Sequence, residues 1–179
     1  MLPSRTLDLT PADRVTLARA GLVAVCAVLV VLGLIGVIPV RSWPLFLVAA
    51  VAAPLDLVDG AVARRTGTVT NRGARWDVEA DAAFAGVLSI GVATFAPWAL
   101  AIGAARYLFV AGGHVRPAWR RALPYSLSRR VIGGAQAVAL VIAIAPFVPL
   151  WVGQSATAAA LAALVFSFGR DIAFLERTG

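Results

Sequence analysis

Asp56, Asp59, Asp77 and Asp81 are the side chains of this sequence best suited to do chemistry. Asp56 and Asp59 are three apart, and Asp77 and Asp81 are four apart. On a helix each spacing puts two carboxylates on one face, one turn from each other. Their surroundings are apolar, where an unpaired carboxylate is strongly destabilised unless it takes up a proton. A hard divalent cation held by oxygen ligands is the simplest compensation for such a cluster. Acids in apolar helices also serve as proton or cation relays in transporters, and as buried structural ion pairs.

The elements that must position these acids are membrane helices by composition. Of 179 residues, 60 % are hydrophobic and 14 % charged, against about 25 % charged in an ordinary soluble domain. Mean hydropathy is +0.87. All 16 basic residues are arginine and the formal charge is +7. In a chain this apolar, arginines report topology and contacts to anionic lipid or phosphate. No aromatic-interleaved basic stretch or zinc pattern points to nucleic acid. The single cysteine, Cys26, has no intrachain partner and reads as a packing residue.

In chain order, Thr10-Pro11-Ala12-Asp13 is a helix start, with Thr10 as N-cap and Pro11 at the first helical position. A short N-terminal interfacial helix is expected there. Six apolar stretches follow, at about 20–40, 44–65, 76–95, 98–113, 131–145 and 151–168, most of them near the roughly 20 residues that cross a bilayer. The connector 66–75 holds Gly67, Asn71 and Gly73 and is expected to interrupt the helix. The expected fold is therefore all-α: one polytopic membrane domain over 1–179, with six transmembrane helices. Arginines cluster in the N-terminal segment, the 66–75 connector, the 114–130 segment and the C-terminus, with Arg41 on the opposite side. The positive-inside rule makes both termini cytoplasmic and puts the aspartates near the cytoplasmic face of a cell membrane.

Read in full, the stretch is Asp56-x2-Asp59-Gly60-x2-Ala63-Arg64, eight residues, then Gly73-x3-Asp77-x3-Asp81. This resembles the signature of the CDP-alcohol phosphotransferase family at every defined position. Pro11, Thr16 and Arg19 resemble the family's helix-start pattern, with Asp13 where many members carry Asn. The resemblance implies attack of an alcohol on the β-phosphorus of a CDP-linked lipid, CDP-diacylglycerol by expectation, with release of CMP. It implies Mg²⁺ or Mn²⁺, two ions, on Asp56, Asp59, Asp77 and Asp81, with Asp81 also the general base. CDP contacts are expected from Asp56, Gly60, Ala63, Arg64, Gly73 and Asp77, and the enzyme is expected to be a homodimer. A second enzyme class, the intramembrane prenyltransferases, also uses aspartate pairs with magnesium and diphosphate. Its Asn-Asp start is absent here, and its chains are typically longer.

The acceptor is less legible. Arg129 and Arg130, followed by Gln136, resemble a basic-then-Gln pattern of phosphatidylglycerophosphate synthases. They are candidates for the phosphate of glycerol-3-phosphate or inositol phosphate. Lipid-headgroup anchoring is the competing reading. The run Asp77-Val78-Glu79-Ala80-Asp81-Ala82 departs from the Asp-Pro-x-Ala-Asp-Lys of those synthases and leaves the acceptor unnamed. Arg106, midway along the fourth stretch, either faces the site or pairs with Glu79, and the pair is the favoured reading. His114 is expected to be solvated. Trp43, Trp98, Trp119 and Trp151 are expected as interfacial anchors.

Overall fold

A computed structural model describes residues 11–66, 71–116, 119 and 126–177, with side-chain surroundings at 17–55, 79–116, 119, 126, 128, 129 and 131–176. Among the described residues the chain is all-helical: α1 (Pro11–Leu34), α2 (Trp43–Thr66), α3 (Asn71–Val92), α4 (Ala99–Val115), α5 (Leu127–Ile144) and α6 (Leu150–Arg177). Helix α1 packs against α2 and α3, α3 against α4 and α5, and α5 against α2 and α6. Helix α4 also meets α6. The acid-bearing helices α2 and α3 thus share α1 and α5 as neighbours.

Among the described residues two helices are long and apolar enough to cross a membrane, over Leu17–Leu34 and Leu150–Glu176. Shorter apolar stretches are Trp43–Leu55, Ala99–Val115 and Val131–Ile144. Leu17, Val28, Leu47, Leu108, Val138 and Phe166 all point outward, each more than half exposed. An apolar exterior of this kind is costly against water and suited to lipid.

Several boundaries differ from those expected. No separate interfacial helix precedes the first apolar stretch among the described residues. Residues 11–19 contain no Gly or Pro after Pro11, so one helix continues to Leu34. Helix α3 begins at Asn71 rather than at about 76, taking Gly73 and Arg75 into its first turns. A glycine near a helix end weakens the helix by only about 1 kcal/mol. Helix α6 runs past 168 to Arg177, carrying Arg170 and Asp171 as helical residues.

The interior is built by small residues at the crossings, as suits packing in lipid, where close approach replaces hydrophobic driving force. A Cβ on Gly103 of α4 would lie 2.9 Å from the Cα of Gly86 and 3.0 Å from the Ser89 Oγ of α3. A Cβ on Gly153 of α6 would lie 2.9 Å from the Cα of Ala143 of α5. Cys26, Leu45, Leu88, Val92, Leu140 and Ile144 fill the core, all fully buried.

At the end opposite the acids, α1 stops in a Schellman turn. Gly36 takes φ 79°, its N–H donates to Gly33 O at 3.2 Å, and Val37 N–H donates to Leu32 O at 2.9 Å. Arg41 then reaches the C-terminus of α5. Its guanidinium donates to Ala143 O at 3.2 Å, to Ala145 O at 2.6 Å and also to Val148 O. Ala143 and Ala145 stand at the helix end, where carbonyls lack intrahelical partners, and Val148 lies just beyond it, so the arginine read as a topology marker also closes α5.

Candidate active site

Asp56 and Asp59 fall in the second half of α2, and Asp77 and Asp81 in the first half of α3. Pro54 lies inside α2 two residues before Asp56 and contributes no N–H to the helix ladder there. The connection between the two helices, residues 67–70, lies outside the described residues. Asp59 and Asp77 each stand about 10 Å along their helix from that connection, at 1.5 Å per residue. Gly60, Ala63 and Arg64 belong to the last turns of α2, and Gly73 to the first turn of α3 rather than to a connector. The side chains of Asp56, Asp59, Ala63, Arg64 and Asp77 lie outside the described residues.

Asp81 is described, and it is not alone. Arg19 of α1 forms an ion pair from Nη2 to Asp81 Oδ1. The arginine side chain is 3 % exposed and the aspartate 48 %. A guanidinium so deeply buried in an apolar helix needs a compensating charge, and α3 supplies it. The carboxylate meanwhile keeps an open side.

Further ion pairs are found on α3 to α6 among the described residues. Arg106 of α4 pairs through Nη2 with Glu79 Oε1 of α3. The same arginine lines a cleft of about 320 Å³ with Phe109, Val110, Arg129, Phe168 and Asp171. Both readings of Arg106 therefore have a structural basis. Arg129 Nε lies 3.0 Å from Asp171 Oδ2, and Arg170 Nη2 lies 3.8 Å from Asp171 Oδ1. Arg170 also donates to Ser128 Oγ at 2.9 Å. The Arg130 side chain lies outside the described residues.

The segment after α4 was expected to be polar, with Trp119 an interfacial anchor. Trp119 is half-buried. Its ring stacks on Phe109 with centroids 5.8 Å apart, and its Nε1 donates to Glu176 Oε1 of α6 at 3.0 Å. Phe109 in turn meets Phe168, with centroids 5.4 Å apart. Trp98 donates to Thr157 Oγ1 at 3.2 Å, and Trp43, Trp98 and Trp151 are all exposed. His114 is exposed, with Nδ1 3.0 Å from Val110 O.

The CDP-alcohol phosphatidyltransferase family model matches residues 9–169, from the start of α1 almost through α6 and across all four aspartates. The chain belongs to the CDP-alcohol phosphatidyltransferase family. No curated protein and no solved structure matches it. As a family member it is a phosphotransferase of phospholipid biosynthesis and a membrane protein, moving a phosphatidyl group from a CDP-alcohol to an acceptor. The family uses divalent metal ions. The donor set here fits such ions: four carboxylates, all hard oxygen donors, on two helices joined by a short connection.

Proposed function

We propose that this CDP-alcohol phosphatidyltransferase displaces CMP from CDP-diacylglycerol by an alcohol, working as one domain of six spans and as a homodimer. The observation that carries the reading is the unbroken Asp56–Asp81 signature on α2 and α3. Asp81, the acid with described surroundings, is held by Arg19 on one oxygen and half open.

In the reaction the acceptor hydroxyl oxygen forms a bond to the β-phosphorus as the bond from that phosphorus to the CMP oxygen breaks. CMP leaves with the electron pair, and the hydroxyl proton passes to Asp81 as general base. Two Mg²⁺ or Mn²⁺ ions held by Asp56, Asp59, Asp77 and Asp81 would neutralise the diphosphate and stabilise the leaving phosphate. Gly60, Ala63 and Gly73 give the nucleotide room, and Arg64 places a planar cation on the diphosphate.

The acceptor is read as a phosphorylated polyol of the glycerol-3-phosphate or inositol phosphate type. Arg106 and Arg129 share one cleft, and their guanidinium groups suit a phosphate monoester. Arg130, next in α5, is assigned to the same phosphate. The active site is assigned to the cytoplasmic face with both termini. The clustering of arginines in the N-terminal segment, the 66–75 and 114–130 segments and the C-terminus supports this side as cytoplasmic. Arg41 lies at the other end.

The test is purified protein in detergent with CDP-diacylglycerol, Mg²⁺ and a panel of alcohols, scored by CMP release and by the lipid formed. Acceptor-dependent CMP release with a new phospholipid is expected. Cation flux into liposomes without CMP release would instead indicate a transporter.

A further inference from the structure

The ion pair between α1 and α3 has an asymmetry. Arg19 is 2 % exposed and sits in the core-facing stripe of α1 with Val23, Cys26 and Val30. Asp81, its partner, is nearly half exposed. An exposed pair contributes only about 0–1 kcal/mol, and burying a charge costs desolvation that its partner need not repay, so net stability is a poor reason for this pair. Here the cation is shielded and the anion faces outward from it. The contact is made to Oδ1, and a guanidinium held rigidly among packed side chains fixes the rotation of the carboxylate it grips.

We infer that Arg19 is a positioning residue of the transfer reaction: by holding Asp81 Oδ1 it presents Oδ2 to the acceptor hydroxyl. The inference rests on Asp81 being the base. Oδ1 is assigned to the guanidinium and has a second lone pair left for a metal ion, while Oδ2 is assigned to the hydroxyl, so the proton moves to an oxygen in a set direction. Arg19 is assigned to act on the reaction through its hold on Asp81. Helix α1 is suited to this role because it packs against both acid-bearing helices. A base displaced by about 1 Å loses about a hundred-fold in rate, so fixing the carboxylate is worth a buried charge.

The experiment compares Arg19→Lys, Arg19→Gln and Asp81→Asn in full-length enzyme with CDP-diacylglycerol and the acceptor found active. Turnover, KM for the CDP-lipid and thermal unfolding are each measured. Arg19→Gln is expected to lower kcat about a hundred-fold with the CDP-lipid KM little changed. Arg19→Lys keeps the buried charge but loses the planar fork, and is expected to fold while recovering only part of the rate. It carries the test if Arg19→Gln does not fold. Wild-type kcat in a folded Arg19→Lys together with either wild-type kcat or no fold in Arg19→Gln would overturn the inference. So would losses in either variant that track unfolding temperature alone. If Asp81→Asn abolishes turnover while the Arg19 variants keep it, only the role of Arg19 fails. If Asp81→Asn itself turns over normally, the reading of Asp81 as the base fails.

Discussion

Arg129 of α5 and Asp171 of α6 form an ion pair, Nε to Oδ2 at 3.0 Å, at the wall of the α4–α5–α6 cleft. The aspartate side chain is 10 % exposed, so the carboxylate is closed in by the protein. An incoming phosphate must therefore share Arg129 with a fixed internal anion. Asp171→Asn removes that competitor, and a lower KM for the phosphorylated acceptor is expected. Arg129→Gln is expected to raise the same KM about ten-fold, the equivalent of roughly 1.4 kcal/mol, with the CDP-lipid KM unchanged. Steady-state kinetics with each substrate varied in turn decides it. Equal shifts in both KM values would show that Arg129 acts on the fold rather than on the acceptor.

Arg106 and Glu79 join α4 to α3, and Arg106 lines the cleft as well. Exchanging the two charges, Arg106→Glu with Glu79→Arg, is expected to restore the thermal stability lost in Arg106→Glu alone. The acceptor KM is expected to stay raised, because the exchange puts an acid where the cleft had a cation. Full recovery of the KM would mean that Arg106 serves only the pair.

Arg41 closes the C-terminus of α5 through three carbonyls, at the end of the helices opposite the acids. Arg41→Ala is expected to lower the unfolding temperature in detergent while leaving kcat and both KM values near wild type. Hydrogen bonds from a charged donor contribute about 1.5–3 kcal/mol each. A drop in kcat without loss of stability would link this end to the reaction.

The α3–α4 crossing at Gly103 has no room for a side chain. Gly103→Val is expected to destabilise the protein by about 1–3 kcal/mol through overpacking, measured by thermal unfolding. Unchanged stability would mean that the two helices separate readily.

The apolar stretches located the helices because hydropathy over about 20 residues is a strong signal. It is weaker at their ends. Gly73 and Asn71 read as helix breakers, yet they open α3, where glycine is tolerated. The spacing of Asp56, Asp59, Asp77 and Asp81 was legible because helical periodicity is local. Partners contributed by other helices were not. Arg19 and Asp81 are 62 positions apart, and nothing local to either names the other. Arg129 was legible as a phosphate candidate, but its bond to Asp171 was not. Trp119 matched the composition of an interfacial anchor. Its stack on Phe109 is a contact with a residue ten positions away that composition does not encode.

The four aspartates are assigned to a divalent-metal site for a CDP-linked substrate. CMP binding to purified protein tests that assignment, measured with Mg²⁺ and again with EDTA, for the wild type and for Asp56→Ala combined with Asp59→Ala. The expected result is binding that requires Mg²⁺ in the wild type and falls at least about ten-fold in the double variant, a loss of roughly 1.4 kcal/mol or more. CMP affinity that is the same with EDTA, or that survives in a folded double variant, would contradict the assignment.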